Sequence, residues 1–300
     1  MAPDPNIHIA TQLEGIDGPV ELAGRAICVS MPCPMCGYDL RGAPATGHCA
    51  ECGCDIQGVL ASAIDPQTHR LPPLADPRAV GDGLVLITGG LAAGVVLPIV
   101  GMLCAGAAAQ SGRDAVSVAV VQHSVTVAAV VVLALGAMGC WLLRPRERGS
   151  LQRAARRAVI LVGLGMLALG VGLQAMVMQD PEVALSGLAA SGVGLLLGLG
   201  GVRQVLVEAG RRCRLFRTAT FRRQRIPTLM LAAVLAAVFL IGARVARLFD
   251  AETIDLTLGA LGLTLTSMLA VGLTYLVANA LWIRRDLRQP PPRLVDLLSE

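Results

Sequence analysis

Six long apolar stretches constrain what this chain can fold into more than any other feature of its sequence. They are residues 83–112, 115–143, 158–179, 183–202, 226–243 and 256–283. About 20 apolar residues in helical form cross a bilayer core of about 30 Å, so each stretch is long enough for one span. With 54% apolar residues, the 300-residue chain is also too hydrophobic for an ordinary soluble domain. The sequence therefore predicts an all-α polytopic membrane bundle of six transmembrane helices.

The basic residues, all of them Arg, are distributed unevenly among the connections between these stretches. They cluster at 144–157, at 203–225 and at 284–293, and the intervening connections hold few. Short loops rich in basic residues remain on the cytoplasmic side of a membrane. With an even number of spans, both termini are predicted to be cytoplasmic. The beginning of the chain has no signal-peptide pattern, and the predicted location is the inner (cytoplasmic) membrane.

Two Cys-x-x-Cys-Gly knuckles precede the first span: Cys33-Pro-Met-Cys36-Gly and Cys49-Ala-Glu-Cys52-Gly. In a reducing compartment, paired thiols at this spacing are metal ligands more often than disulfides. Two such turns supply the four thiolates of a tetrahedral Zn²⁺ site. Four protein ligands leave no position for water or substrate, so the predicted Zn²⁺ at Cys33, Cys36, Cys49 and Cys52 is structural. Such a small segment depends on the metal for its folding, and we expect its metal-free form to be disordered.

Three other residues near the knuckles are possible ligands. Cys54 is the best substitute, because exchanging it for Cys52 would change the second knuckle by only two residues. Cys28 and His48 are further possibilities, and all three are equally interpretable as bystanders. The context of Cys52, which repeats that of Cys36, favours the regular set of four.

The string of residues 33–42, Cys-Pro-Met-Cys-Gly-Tyr-Asp-Leu-Arg-Gly, followed by the second knuckle, resembles the short N-terminal zinc ribbons of uncharacterised bacterial multi-pass membrane proteins. The resemblance covers residues 31–56 and implies a zinc ribbon without an associated activity. Ala50 occupies a position where those ribbons usually have proline. The first knuckle is also similar to that of rubredoxins, which makes iron at the same four cysteines the alternative metal. The segment between the knuckles is shorter than in rubredoxins, and Tyr38 is the only aromatic residue nearby, so zinc is favoured.

These features divide the chain into five parts. An irregular N-terminal segment (1–30) precedes the zinc ribbon (31–56). A Pro-containing linker (57–82) leads to the six-helix transmembrane domain (83–283), and a cytoplasmic tail (284–300) follows. Three pairs of residues that end in proline favour a linker over a continuous helix at 57–82, since the residue before proline is disfavoured in a helix.

The charge of the ribbon indicates which class of partner it can bind. Residues 28–56 hold one Arg against three acidic residues, whereas nucleic-acid binding needs a basic surface. Nucleic acid is therefore not expected. We expect the ribbon to bind a protein or the basic loops of its own membrane domain, and the bundle to contact the lipid bilayer.

Polar side chains within the spans suggest a possible intramembrane site at His123, Thr266 and Asn279. Transport coupled to ions or protons usually needs a charged residue inside the membrane, and none lies near the centre of a span. A single His near the end of a span is more often bonded to a neighbouring carbonyl group.

The sequence supports two functional hypotheses. The first is a non-enzymatic integral membrane protein whose cytoplasmic zinc ribbon is a protein-interaction or assembly module. The alternative is a small-molecule transporter or channel that uses polar groups of the second and sixth spans. A membrane-embedded enzyme is disfavoured, because the spans contain no paired carboxylates or metal-binding His–Glu motif.

Overall fold

The structure is a computed structural model. It describes residues 22–64, 71, 74, 76–110, 114–144, 150–178, 180–213, 216–217, 225–289, 292 and 294–299. The chain divides into two compact units. The cysteine unit consists of Met1–Leu74 together with Gln289–Glu300, and the bundle unit consists of Ala75–Arg288.

The cysteine unit has a small core in which both ends of the chain take part. Its buried residues come from the knuckle region, from the helix that follows it and from the end of the chain. They are Ile27, Cys33, Leu40, Ala45, Cys49, Ile56, Val59, Leu60, Ile64, Leu294, Leu297 and Leu298. The described part of the unit has isolated β-bridges in place of continuous strands, among them Ala26 with Pro44 and Ile27 with Leu298.

Helix α1, Ile56–Ile64, begins directly after the second knuckle. Asp55 caps it, because its carboxylate accepts the N–H groups of Gln57 at 3.3 Å and Gly58 at 3.0 Å. Such a cap satisfies amide groups that have no partner within the helix. The apolar positions of α1 face the core, so residues 56–64 belong to the folded unit rather than to a linker.

The end of the chain also departs from the expected tail. Residues 284–288 belong to the last long helix, and α8, Leu294–Leu297, lies in the cysteine unit. Leu294, Leu297 and Leu298 are each at most 5% exposed. Burying a leucine side chain contributes about 1.5–3 kcal/mol relative to leaving it in water, so these contacts are a large share of the stability available to so small a unit.

Among its described residues, the bundle unit contains six helices that are long and apolar enough to cross a membrane, which confirms the predicted fold class. They are α2 Pro77–Gln110, α3 Asp114–Leu142, α4 Ser150–Ala175, α5 Pro181–Gly210, α6 Ile226–Leu248 and α7 Glu252–Arg288. Helices α2 and α7, with 34 and 37 residues, are about 50 Å long at 1.5 Å per residue and exceed the bilayer core.

Helix α2 begins at Pro77, six residues earlier than the apolar pattern predicts. Asp76 caps it by accepting the N–H of Ala79 at 3.0 Å. Proline fits the first turn of a helix, where its missing N–H group would have no partner. The Asp-Pro pair at 76–77, interpreted as part of a linker, is a helix start. Asp180 caps α5 before Pro181 in the same way.

Consecutive helices of the bundle pack on one another, and α7 returns to pack on α2. Helix α2 also contacts α4 and α5, so it touches more neighbours than a ring of six helices requires. Half of the most apolar part of α2 is buried within the protein, compared with 22% of the corresponding part of α7. Helix α2 is therefore the most buried of these helices, and much of α7 faces outward, where a membrane protein contacts lipid.

Glycines allow α4 and α5 to approach closely. A Cβ atom added to Gly165 would lie 2.6 Å from the carbonyl oxygen of Gly194 and 2.5 Å from the amide nitrogen of Gly198. Gly90 and Gly94 of α2 face side chains of α3 and α4. Small residues at i and i+4 permit such backbone contact between membrane helices. In this chain both pairs lie at contacts inside the bundle.

An ion cluster joins the beginning of α2 to the end of α7. Asp82 accepts hydrogen bonds from Arg284 and from Arg288, the latter at 2.9 and 3.0 Å. The three side chains are 32–44% exposed. The beginning of α2 and the end of α7 are thus held side by side.

Candidate metal centre

The first knuckle is shaped by backbone hydrogen bonds. The N–H of Cys33 donates to the carbonyl of Tyr38 at 2.7 Å, and the N–H of Gly37 donates to the carbonyl of Cys33 at 2.8 Å. Gly37 has a φ of 78°, a conformation that residues with a Cβ atom adopt at a cost. The bridge between Pro32 and Asp39 closes the turn at its base.

The second knuckle repeats this geometry. Cys49 N–H donates to the carbonyl of Cys54 at 2.8 Å, and Gly53 N–H donates to that of Cys49 at 2.9 Å. Gly53 has a φ of 70°, and a bridge between His48 and Asp55 closes the turn. The glycine after each pair of cysteines is therefore what lets both knuckles turn.

The two knuckles bring four sulfur atoms together. The Sγ atoms of Cys33 and Cys52 lie 3.5 Å apart and those of Cys36 and Cys49 lie 3.7 Å apart. All four atoms lie within 4.8 Å of one another. A tetrahedron with metal–sulfur bonds of about 2.3 Å has edges of about 3.8 Å, so the arrangement fits a single tetrahedral ion. These four cysteines could hold one metal ion with little rearrangement.

Backbone amides and neighbouring thiols set the pKa values in this cluster. Amide groups of Met35 and Cys36, with the thiol of Cys52, lower the pKa of Cys33 to about 6 despite its loss of hydration. The amide of Cys54 lowers the pKa of Cys52, but loss of hydration and the other thiols outweigh it and raise this pKa to about 12. The cluster thus favours negative charge on Cys33 and needs a cation to ionise Cys52 at neutral pH.

The three additional candidate ligands lie outside this group of four. Cys54 corresponds in the second knuckle to Tyr38 in the first, and its Sγ approaches the carbonyl of Asp55 at 3.9 Å. Loss of hydration and the adjacent Cys33 raise the pKa of Cys54. Cys28 places its Sγ 3.7 Å from the carbonyl of Asp296.

The residues after Cys36 organise the surrounding loop. The Asp39 carboxylate accepts the N–H groups of Met31 at 3.0 Å and Arg41 at 3.2 Å, and the hydroxyl of Ser30 at 3.1 Å. These bonds from Arg41, Met31 and Ser30 lower the pKa of Asp39 despite some loss of hydration. Leu40 is fully buried in the core. Asp39 is therefore a structural acceptor and not a free surface charge.

Two of the four cysteines face the core and two face outward. Cys33 and Cys49 are 2% and 3% exposed, whereas Cys36 and Cys52 are exposed. Cys33 and Cys49 share their core with the leucines of residues 294–298. This contribution of the C-terminal leucines was not predicted from the sequence. The leucine spacing 294–297–298 is a signal for an apolar face, but its location next to the cysteines is visible only in the fold.

The predicted intramembrane residues do not form one polar site. His123 is exposed on α3, with its Nδ1 2.7 Å from the carbonyl oxygen of Ala119. Thr266 donates to the carbonyl of Gly262, within α7. Both bonds are to the residue's own helix, the arrangement expected of ordinary membrane helices.

Asn279, on α7, is fully buried, and no hydrogen-bond partner for its side-chain amide is found among the described residues. Five residues along the helix, Arg284 packs on Gly81 of α2, whereas Ser124, the neighbour of His123, packs on Gly101. Twenty residues of α2 separate these two contacts, which is about 30 Å. Asn279 and His123 therefore lie at different depths of the bundle.

The fold and the four-cysteine site define a class of protein: a multi-pass membrane protein with a candidate metal site in a second, small unit. No family model matches the chain, and no curated protein or solved structure matches it either.

Proposed function

We propose that this chain is a non-enzymatic protein of the inner membrane, in which Cys33, Cys36, Cys49 and Cys52 bind one structural Zn²⁺ on the cytoplasmic side. The cysteine unit built on that ion is a protein-interaction or assembly module. The observation that carries the proposal is the spacing of the sulfurs, 3.5 and 3.7 Å between the knuckles. Four thiolates complete the coordination of zinc and leave no open position for substrate.

The size of the core supports a structural role for the ion. Twelve buried residues in the described part of the unit form it, and two of them are the candidate ligands Cys33 and Cys49. A unit this small rarely gains enough stability from apolar burial alone, and a bound metal commonly supplies the difference.

The location rests on two arguments. The contact between Ala26 and Ser299 needs both ends of the chain on one side of the membrane. The Arg-rich connections at 144–157 and 203–225 favour the cytoplasm as that side. A reducing cytoplasm keeps the four thiols available as ligands.

Zinc is favoured over iron because the surroundings of the site lack aromatic packing. Tyr38 is the only aromatic residue within 22–64, and it is 45% exposed. An iron(III)–thiolate site absorbs visible light, whereas zinc, with its filled d shell, gives a colourless protein. A red purified protein would therefore identify iron and contradict this part of the proposal.

The arrangement of the bundle does not favour the alternative, a transporter or channel. Of the polar residues that would line a path, His123 is exposed and Thr266 bonds to its own helix. The Asp82 cluster lies at one end of α2, where it pairs with α7.

Metal analysis of the full-length protein tests the proposal. We expect about one zinc per chain in the wild type and in the matched control Cys54→Ser. Cys36→Ser should lose the zinc while the bundle remains inserted and helical. A wild-type protein without bound metal, or a Cys36→Ser variant with a full complement, would refute the site.

A further inference from the structure

We propose that the cysteine unit holds the chain's own C-terminal segment, residues 294–299, only when the metal is bound, so that the metal site controls whether this leucine-rich segment is docked or free. The inference rests on the proposed metal site and names the partner and the regulation of that site. It departs from the expected external partner, because the apolar surface beside the cysteines is already occupied from within the chain.

The C-terminal segment is held by its backbone. The N–H of Cys28 donates to the carbonyl of Leu297 at 2.9 Å, and the N–H of Ser299 donates to the carbonyl of Ala26 at 2.8 Å. The N–H of Ala26 donates to Oγ of Ser299 at 3.3 Å. Together with the bridge between Ile27 and Leu298, these bonds add the segment to residues 26–28 as a short antiparallel partner.

The opposite edge of residues 26–28 is held by the chain that leaves the first knuckle. Ile27 N–H donates to the carbonyl of Ala43 at 3.0 Å, and Gly42 N–H donates to that of Ile27 at 2.8 Å. Ala26 forms a bridge with Pro44. Residues 26–28 therefore lie between residues 42–44, which follow the first knuckle in the chain, and the C-terminal segment.

Side-chain packing also links the C-terminal segment to the candidate metal ligands. Leu294, Leu297 and Leu298 are 1%, 5% and 4% exposed, in one core with the ligands Cys33 and Cys49. The buried surface that these leucines contact thus includes residues whose positions the metal would fix. When the metal leaves, the knuckles lose the interaction that folds them. Residues 26–28 then no longer pair with the C-terminal segment, and the core around Cys33 and Cys49 no longer holds its leucines.

Thermodynamic linkage gives the converse effect. If metal binding favours docking of the segment, docking must favour metal binding by the same factor. Damage to the segment, which contains none of the four ligands, should therefore weaken the metal site.

Hydrogen exchange of the full-length protein, one copy per nanodisc, tests the first half of the proposal. With zinc bound, the amides of residues 26–28 and 297–299 should be protected. After removal of zinc by a chelator, they should exchange at least about tenfold faster, and added zinc should restore protection. Helices α4 and α5 serve as the internal control and should not change. Unchanged protection of 297–299 after complete loss of zinc would overturn the inference, as would protection that disappears on dilution, which would identify a second copy as the occupant.

A pair of variants tests the converse. Leu297→Asp combined with Leu298→Asp introduces charge into the core and should raise the zinc dissociation constant roughly 5- to 150-fold, the usual range for coupled sites. Pro292→Asp is the control, since it adds a negative charge, one against the two of the double variant, at an exposed position just before the segment. Its dissociation constant should stay within about twofold of the wild type. Equal zinc affinity in all three proteins would overturn this inference and leave the proposed zinc site intact, whereas absence of zinc from the wild type would contradict the proposed function itself.

Discussion

Ala26 and Ser299 are joined by hydrogen bonds although 273 positions separate them in the chain. Ser299 donates to the carbonyl of Ala26 through its N–H at 2.8 Å and its hydroxyl at 3.2 Å, and the Ala26 N–H donates to that hydroxyl oxygen at 3.3 Å. The residues that precede and follow the six spans thus build one small unit. Its core cannot be completed until residues 294–298 have been synthesised.

Replacing Gly37 by Ala should weaken metal binding. No atom lies within 4 Å of the added Cβ, so the effect comes from the φ of 78° alone. Holding an L-residue there costs about 1–2 kcal/mol, which corresponds to a roughly 5- to 30-fold loss of affinity. Gly58→Ala is the matched control, because Gly58 lies in α1 and Ala there favours the helix. Chelator competition measures both; equal losses would contradict the assigned role of the turn.

Metal affinity should rise with pH around neutrality. The pKa of Cys52 is raised to about 12 and that of Cys36 is raised above its ordinary value, so both thiols keep their protons at pH 7 until a cation displaces them. Acidification returns the protons and releases the metal. Displacement of at least two protons predicts a change in apparent affinity of at least about a hundredfold per pH unit. Competition with a chelator at several pH values near 7 checks the slope, and a pH-independent affinity would contradict it.

Gly194→Ala should destabilise the bundle. The backbone of Gly194 lies against that of Gly165, where an added methyl group has no space. Overpacking of this kind costs about 1–3 kcal/mol. Gly200→Ala on the same helix is the control, since no atom lies within 4 Å of its added Cβ. Thermal unfolding in detergent compares the two variants; a Gly194→Ala protein as stable as the control would show that α4 and α5 are farther apart.

Asp82 and Arg288 should be energetically coupled. Their hydrogen bonds of 2.9 and 3.0 Å connect α2 to α7, and both side chains are partly exposed, so water screens the interaction. A double-mutant cycle of Asp82→Asn and Arg288→Gln should give a coupling energy of up to about 1 kcal/mol. Additive effects of the two substitutions on the unfolding midpoint would mean that the pair does not stabilise the bundle.

The parts of the fold that follow from local pattern were predictable. Apolar stretches of 18 residues or more require helices in a membrane, because every backbone polar group must be satisfied within the segment. The two knuckles were recognisable for a similar reason, since the spacing of Cys33 and Cys36 places both sulfurs on one side of a tight turn.

Predictions near proline were less successful. The linker expected over 57–82 contains part of α1 and the start of α2. Asp55 and Asp76 are side-chain caps, and Pro77 is a helix start, but an Asp-Pro pair is typical of both turns and helix beginnings. Whether an Asp-Pro pair forms a turn or begins a helix depends on the packing of the residues that follow it.

The sequence by itself determined the six spans, the two knuckles and the four candidate ligands, because hydrophobic length and ligand spacing act over a few residues of chain. Tertiary structure alone decided that Leu294, Leu297 and Leu298 complete the core beside Cys33 and Cys49. Their apolar character was evident, but which surface covers them depends on where six helices return the chain, and that is set by packing between residues far apart in sequence.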